Sequence, residues 1–248
     1  MNTLITAVVL AGAASLTLAD NVNPGVIFGS GNANGSFTTA TEGNIEIGLR
    51  GKLRYNSMGV PEATYNYDGV DTYTFDPDVS ANPANRSIWN FDWSINTDVN
   101  DPTNSGDNIS EFIYALTVSK VAANGMDLIQ LFTFDPINVD YADHSIGDND
   151  TLPNSGVEAT TDAEYATLIG NNNVLQQSWN LGFFNSNPTA KGTYVISLEV
   201  FSADFAFIPA DPIVSDTIYI NVVPVPTAVF AGLGMLGALA GVRVVRRR

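Results

Sequence analysis

Ser87-Ile-Trp-Asn-Phe-Asp-Trp-Ser-Ile-Asn96 is the stretch that decides the fold class. Trp89, Phe91, Trp93 and Ile95 fall on one parity; Asn90, Asp92, Ser94 and Asn96 fall on the other. Successive side chains of a strand point to opposite faces, so this pattern predicts a strand with one apolar, core-facing side and one polar side. Trp89 and Trp93 could in principle stack on a sugar. Their shared parity with Phe91 and Ile95 favours core packing instead.

The same alternation recurs on both sides of it. Asn44–Tyr55 carries Ile45, Ile47, Leu49, Leu53 and Tyr55 on one face, with Arg50, Lys52 and Arg54 as a basic patch on the other. Further strands are expected at Ile109–Lys120, Met126–Phe134, Val174–Phe184, Thr193–Phe201 and Ile213–Val223. Asn124-Gly125 joins two of these as a hairpin turn, and Asp68-Gly69 suggests another hairpin within Thr64–Phe75. Val26-Ile27-Phe28 reads as a short edge strand amid Gly- and Asn-rich loop. Asp135–Asn173 has no strand pattern; Thr161-x-x-Glu164 predicts a capping box opening one short helix there. Nine or ten short strands with little helix predict an all-β fold, an antiparallel β-sandwich of jelly-roll-like or Ig-like type. The absence of crossover helices argues against a parallel α/β sheet.

The two ends differ from this middle. Residues 1–19 read as a secretory signal peptide: an apolar Leu4–Leu18 region, then Thr17 and Ala19 as a small-x-small cleavage site. A core strand is the alternative. Residues 20–223 form the expected extracellular domain. At 224–248, Pro224 and Pro226 precede an uncharged run, 227–242, and then Arg243, Arg246, Arg247 and Arg248. Sixteen helical residues span about 24 Å, short of the roughly 30 Å hydrocarbon core. Extension to 245, with Arg243 turning its charge to the headgroups, gives a transmembrane helix at about 227–245 and a basic end at 246–248 on the cytoplasmic side. A buried core helix with a basic end is the other reading.

This tail resembles the PEP-CTERM sorting signal, on Val223, Pro224, Pro226, the apolar span and Arg246 to Arg248. Val225 stands where that motif usually has glutamate. The resemblance covers the last tenth of the chain and implies export, recognition by exosortase-type sorting machinery, an initial membrane anchor, and placement at the cell surface or in an extracellular matrix. Trp89–Asp98 and Ser178–Phe184 also look like stretches of uncharacterised exported proteins of this class, which implies no particular activity.

Composition narrows the chemistry. There is no cysteine, which excludes disulfides, thiolate metal sites and a cysteine nucleophile. Residues 20–223 hold six basic and all 26 acidic residues, a formal charge of −20, which opposes nucleic-acid binding. His144 is the only histidine and no Gly-x-Ser-x-Gly elbow accompanies it, so an exposed loop histidine is expected rather than a Ser-His-Asp triad. No phosphate-binding glycine loop and no meaningful pair of carboxylates stands out. Asp140, Asp143, Asp148 and Asp150, with Asn149 among them, present the oxygen ligands that Ca²⁺ prefers; a solvated acidic loop is the competing reading. The leading expectation is a surface or matrix protein without enzymatic activity and with no cofactor unless it is Ca²⁺. Behind it come a carbohydrate-binding or adhesive module contacting extracellular polysaccharide, and then a secreted hydrolase.

Overall fold

The computed structural model describes residues 21–27, 33–56, 58–76, 86–100, 106–138, 144–183, 191–203 and 211–223. Eleven strands occur among them: β1 Thr38–Glu42, β2 Ile45–Tyr55, β3 Pro61–Thr64, β4 Thr72–Phe75, β5 Trp89–Asn96, β6 Phe112–Val121, β7 Leu128–Phe134, β8 Ser145–Gly147, β9 Val174–Asn180, β10 Gly192–Ser202 and β11 Val214–Val222. One α-helix, α1, spans Asp162–Ile169. The strands form two sheets. The first has the order β1-β2-β5-β9-β8, with β3 also on β2; the second has the order β4-β11-β10-β6-β7.

The core forms where the two apolar faces meet. Ile47, Leu49 and Leu53 of β2, and Trp89, Phe91, Trp93 and Ile95 of β5, face Tyr114, Leu116, Val118, Tyr194, Ile196, Leu198, Val200, Ile218 and Ile220 of the second sheet in one buried cluster. Aromatic rings tie the layers together. Trp89 lies 5.1 Å from the Tyr194 ring, and Trp93 meets Phe134 edge-on at 6.1 Å. Gly51 sits on the inward side of β2, close under β11: a Cβ there would lie 3.0 Å from Ile220 Cδ1, so the isoleucine would have to give way.

Several expectations are corrected. All eight residues of β5 are buried, so its polar face is covered rather than open to water. The Asp68-Gly69 turn forms, with Asp68 accepting from the amides of Val70, Asp71 and Thr72. The hairpin it serves shrinks to one Tyr67–Tyr73 bridge, and β4 instead lies parallel to β11. The second sheet is therefore mixed. Residues 21–27 are buried at Val22, Val26 and Ile27 but form no strand; Phe28 lies outside the described residues. The stretch without strand pattern contains the short β8, three residues that were too few to show a period. It also contains α1. Thr161 caps this helix by accepting from Glu164 N–H at 3.2 Å, but Glu164 returns the contact to Thr160, one residue earlier than a capping box requires. Residues 1–19 and the tail from Pro224 onward, with the expected helix 227–245, lie outside the described residues. Among those described, no helix is long and apolar enough to cross a membrane.

The buried state of Trp93 sets an expected cost. Trp93→Ala should destabilise the domain by about 3–5 kcal/mol, as aromatic truncations in close-packed cores do. The change would be read from urea unfolding midpoints. A loss under about 1 kcal/mol would contradict the packing described here.

Candidate functional site

The polar face of the first sheet gathers the side chains with most chemical potential. Register places Arg50 opposite Asp92, Lys52 opposite Asn90 and Gly48 opposite Ser94 across β2 and β5. It continues the rows to β9, with Asp92 opposite Ser178, Asn90 opposite Asn180 and Ser94 opposite Gln176. A row of charged and amide side chains thus crosses three strands on the side away from the main core.

Its centre is ionic. Arg50 Nε donates to Asp92 Oδ2 at 2.5 Å, and Lys52 Nζ lies 3.0 Å from Asp92 Oδ1. All three side chains are fully buried, so the expected basic patch is not a surface feature at Arg50 and Lys52. The Arg50 guanidinium carbon lies over the Phe37 ring at 4.2 Å and over the Tyr65 ring at 4.7 Å, two cation–π contacts. Burial opposes ionisation of Asp92, but Lys52 and Arg50 outweigh it and hold the carboxyl below its ordinary value. For Lys52 burial wins: it pulls the ammonium down to about 8 against the attraction of Asp92, with Arg50 adding repulsion.

A strap of chain covers this face. Residues 21–27 and 33–37 lie over it, with Val22, Ile27 and Phe37 as a small second apolar cluster. Gly48 makes room for it, since a Cβ there would come within 2.8 Å of Val22 Cγ1. The strap is held by its backbone carbonyls. Gln176 Nε2 donates to Pro24 O at 2.9 Å, Ser145 Oγ to Val26 O at 2.6 Å and Arg50 to Gly35 O at 2.8 Å. Asn96 donates to Asn23 O, and Arg50 also to Ala33 O.

The other expected site residues fall elsewhere. His144 is fully buried, not an exposed loop residue. One ring nitrogen, Nε2, lies 3.1 Å from Pro136 O, and Gln177 Nε2 approaches the ring at 3.1 Å from Nδ1. The ring packs against Trp93 and Tyr165. Ser145, its neighbour, is engaged by the strap. Asp148 Oδ1 accepts from Asp150 N–H and from Thr151 Oγ, both at 3.0 Å, so this carboxylate organises its own turn. Asn149 bridges Asn96 and the Asp98 carbonyl, accepting from Asn96 Nδ2 at 2.9 Å and donating to Asp98 O at 2.7 Å. Asp140 and Asp143 lie outside the described residues; among those described, no three His, Cys, Asp or Glu side chains group as a metal site. Val223 ends the described chain, and Pro224, Pro226 and Arg246 to Arg248 lie beyond it.

The pairing and burial of Lys52 and Asp92 are not visible in the sequence pattern, and Asp216 was missed altogether. Lys52 and Asp92 each look like solvent-facing members of an alternating strand until their partner strands are known. Asp216 sits on the inward parity of β11 among Val214, Ile218 and Ile220, and that parity was the available signal. Its Oδ1 accepts from Thr217 N–H at 2.9 Å, while Oδ2 has no hydrogen-bond partner. No protein-family model, curated protein or solved structure matches this chain.

Asp216 makes stability depend on pH. Burial pushes its carboxyl from the ordinary 3.8 up to about 7, with Asp71 adding to the rise against hydrogen bonds from the Thr217 and Leu49 amides. Between these values the folded state holds a proton that the unfolded state has released, so stability falls as pH rises through this window and levels off above it. Asp216→Asn should remove that slope: the variant gains stability relative to wild type from pH 4 towards pH 7, in the window set by the carboxyl. Parallel wild-type and variant profiles in urea unfolding would contradict this.

Proposed function

We propose that this chain is an exported protein of the cell surface or extracellular matrix, without enzymatic activity, sorted by residues 224–248. The observation that carries the reading is the junction between domain and tail. β11 runs between β10 and β4, and its last backbone contact is Val223 N–H donating to Phe75 O at 3.0 Å. Pro224 follows at once. The sheet's last contact is thus made by the first residue of the motif, and none of the described strands uses Pro224 or Pro226.

In this reading the exosortase-type machinery recognises Val223, Pro224, Pro226 and Arg246 to Arg248, and the helix at about 227–245 anchors the protein in the membrane first. The body then faces outward, where its strongly negative charge favours solubility. The chain passes repeatedly between sheets, from β3 to β4, β4 to β5, β5 to β6, β7 to β8 and β9 to β10, which supports a jelly-roll-like variant of the sandwich. Burial of Trp89 and Trp93, and the stacking of Trp179 on Phe134 at 4.9 Å, support a packing role for the tryptophans over a polysaccharide-binding platform. The turn-forming role of Asp148 leaves Ca²⁺ without support from that residue.

Deleting residues 224–248 removes no described strand. The truncated protein should therefore fold, keep the wild-type unfolding midpoint, and be recovered in the medium instead of the surface-associated fraction. Unchanged fractionation of a folded truncated protein would sink the sorting proposal.

A further inference from the structure

Lys52 is one of three lysines in the chain, and its side chain is wholly sealed from water. Lysine is almost never fully buried unless something specific holds it. Three features surround it. Asp92 Oδ1 lies 3.0 Å from Nζ, within the reach of a general base. Asn90 sits directly across from it in the β2–β5 register, on the same face of the sheet. Directly opposed residues of an antiparallel pair have Cβ atoms about 4.5–5.5 Å apart, a gap that a lysine and an asparagine can bridge. The Asn90 carboxamide is itself polarised: its Oδ1 accepts from Asn180 Nδ2 at 2.7 Å, and its Nδ2 donates to Ser178 Oγ at 3.3 Å.

We propose that Lys52 and Asn90 join in an intramolecular amide that staples β2 to β5, with Asp92 moving the proton. The Lys52 ammonium gives a proton to Asp92, and the neutral Nζ attacks Asn90 Cγ. The developing negative charge on Oδ1 is met by the Asn180 N–H, as an oxyanion donor meets an acyl-transfer intermediate. Asp92 returns that proton to Nδ2, the Cγ–Nδ2 bond breaks, and the second proton that Nζ sheds on becoming an amide nitrogen passes through Asp92 to the departing ammonia, which leaves as ammonium. One C–N bond forms and one breaks, with no oxidant, reductant or external reagent. Burial favours the neutral amine that the step requires, as it does in other lysines that act as nucleophiles. The arrangement would give a covalent brace to a chain that has no cysteine for a disulfide. It stands on the sheet geometry and is independent of how the tail is sorted.

Peptide mapping of the purified full-length chain, unfolded before digestion with trypsin, tests it. An acylated Lys52 resists cleavage, so Gly51–Arg54 should be recovered attached to Ser87–Lys120, at the summed mass less one ammonia. The separate Gly51–Lys52 and Ser87–Lys120 peptides should be lost. Full recovery of those separate peptides from the wild type would overturn the proposal. A branched peptide lighter by water would also overturn it, since the acyl donor would then be a carboxylate. Asn90→Ala keeps the Arg50–Asp92–Lys52 cluster and should abolish the branched species. Its persistence would assign the bond to another residue. Asp92→Asn should also leave Lys52 cleavable, with circular dichroism establishing that this variant has folded; a branched peptide in it would remove Asp92 from the chemistry.

Discussion

Burial of three charges on the back of a sheet is the constraint that the rest of the structure answers. Arg50, Asp92 and Lys52 carry a net positive charge out of water, and charge in a low-dielectric interior is tolerated only when it is paired and hydrogen-bonded. The surrounding chain supplies the pairing in full and the hydrogen bonds in part. Asp92 takes a cation on each oxygen, two aromatic rings flank the guanidinium, and the strap brings two carbonyl oxygens to Nη1, while Nη2 is buried without a hydrogen-bond partner. Removing one partner would leave an uncompensated charge, which in other proteins costs about 3–5 kcal/mol. The strap and the sheet face therefore have to form together.

This gives the first sheet two unlike interiors. Toward the second sheet it presents Trp, Phe, Ile and Leu, with a glycine at position 51 where β11 crosses closely. Away from it, Asn90, Ser94, Asn96, Gln176 and Asn180 make a buried layer of amides and hydroxyls joined to one another and to the strap. The apolar side supplies most of the driving force for collapse. The polar side imposes register, because a slip of one residue would turn Arg50, Asp92 and Lys52 into the hydrophobic core.

What the sequence displayed follows from this division. Period-two alternation identified β2, β5, β6, β9, β10 and β11 to within a few residues, and it identified the face of Trp93 correctly. Alternation separates the two faces of a strand but does not say whether the second is covered. The burial of Arg50 depends on a segment more than a dozen residues away that forms no strand and has no period. His144 was hidden for the same reason: its surroundings come from Gln177, Trp93 and Tyr165, distant in the chain. The parallel pairing of β4 with β11 joins segments about 150 positions apart, and no local turn signal announces such a partner. Asp148 illustrates a further limit, since a loop carboxylate can accept hydrogen bonds within its own turn, which a sequence does not show.

The strap has an unusual kind of attachment. At Asn23, Pro24, Val26, Ala33 and Gly35 the sheet's side chains grip main-chain oxygens. A carbonyl is common to every amino acid, so identity at those five positions is only weakly constrained by the grip, whereas the donors Arg50, Asn96, Ser145 and Gln176 are tightly constrained. Over evolutionary time the covering segment should diverge quickly in composition while the floor beneath it stays almost fixed. In a set of distant relatives, the floor would be the surviving signature, and the segment closest to it in space would be among the hardest to align.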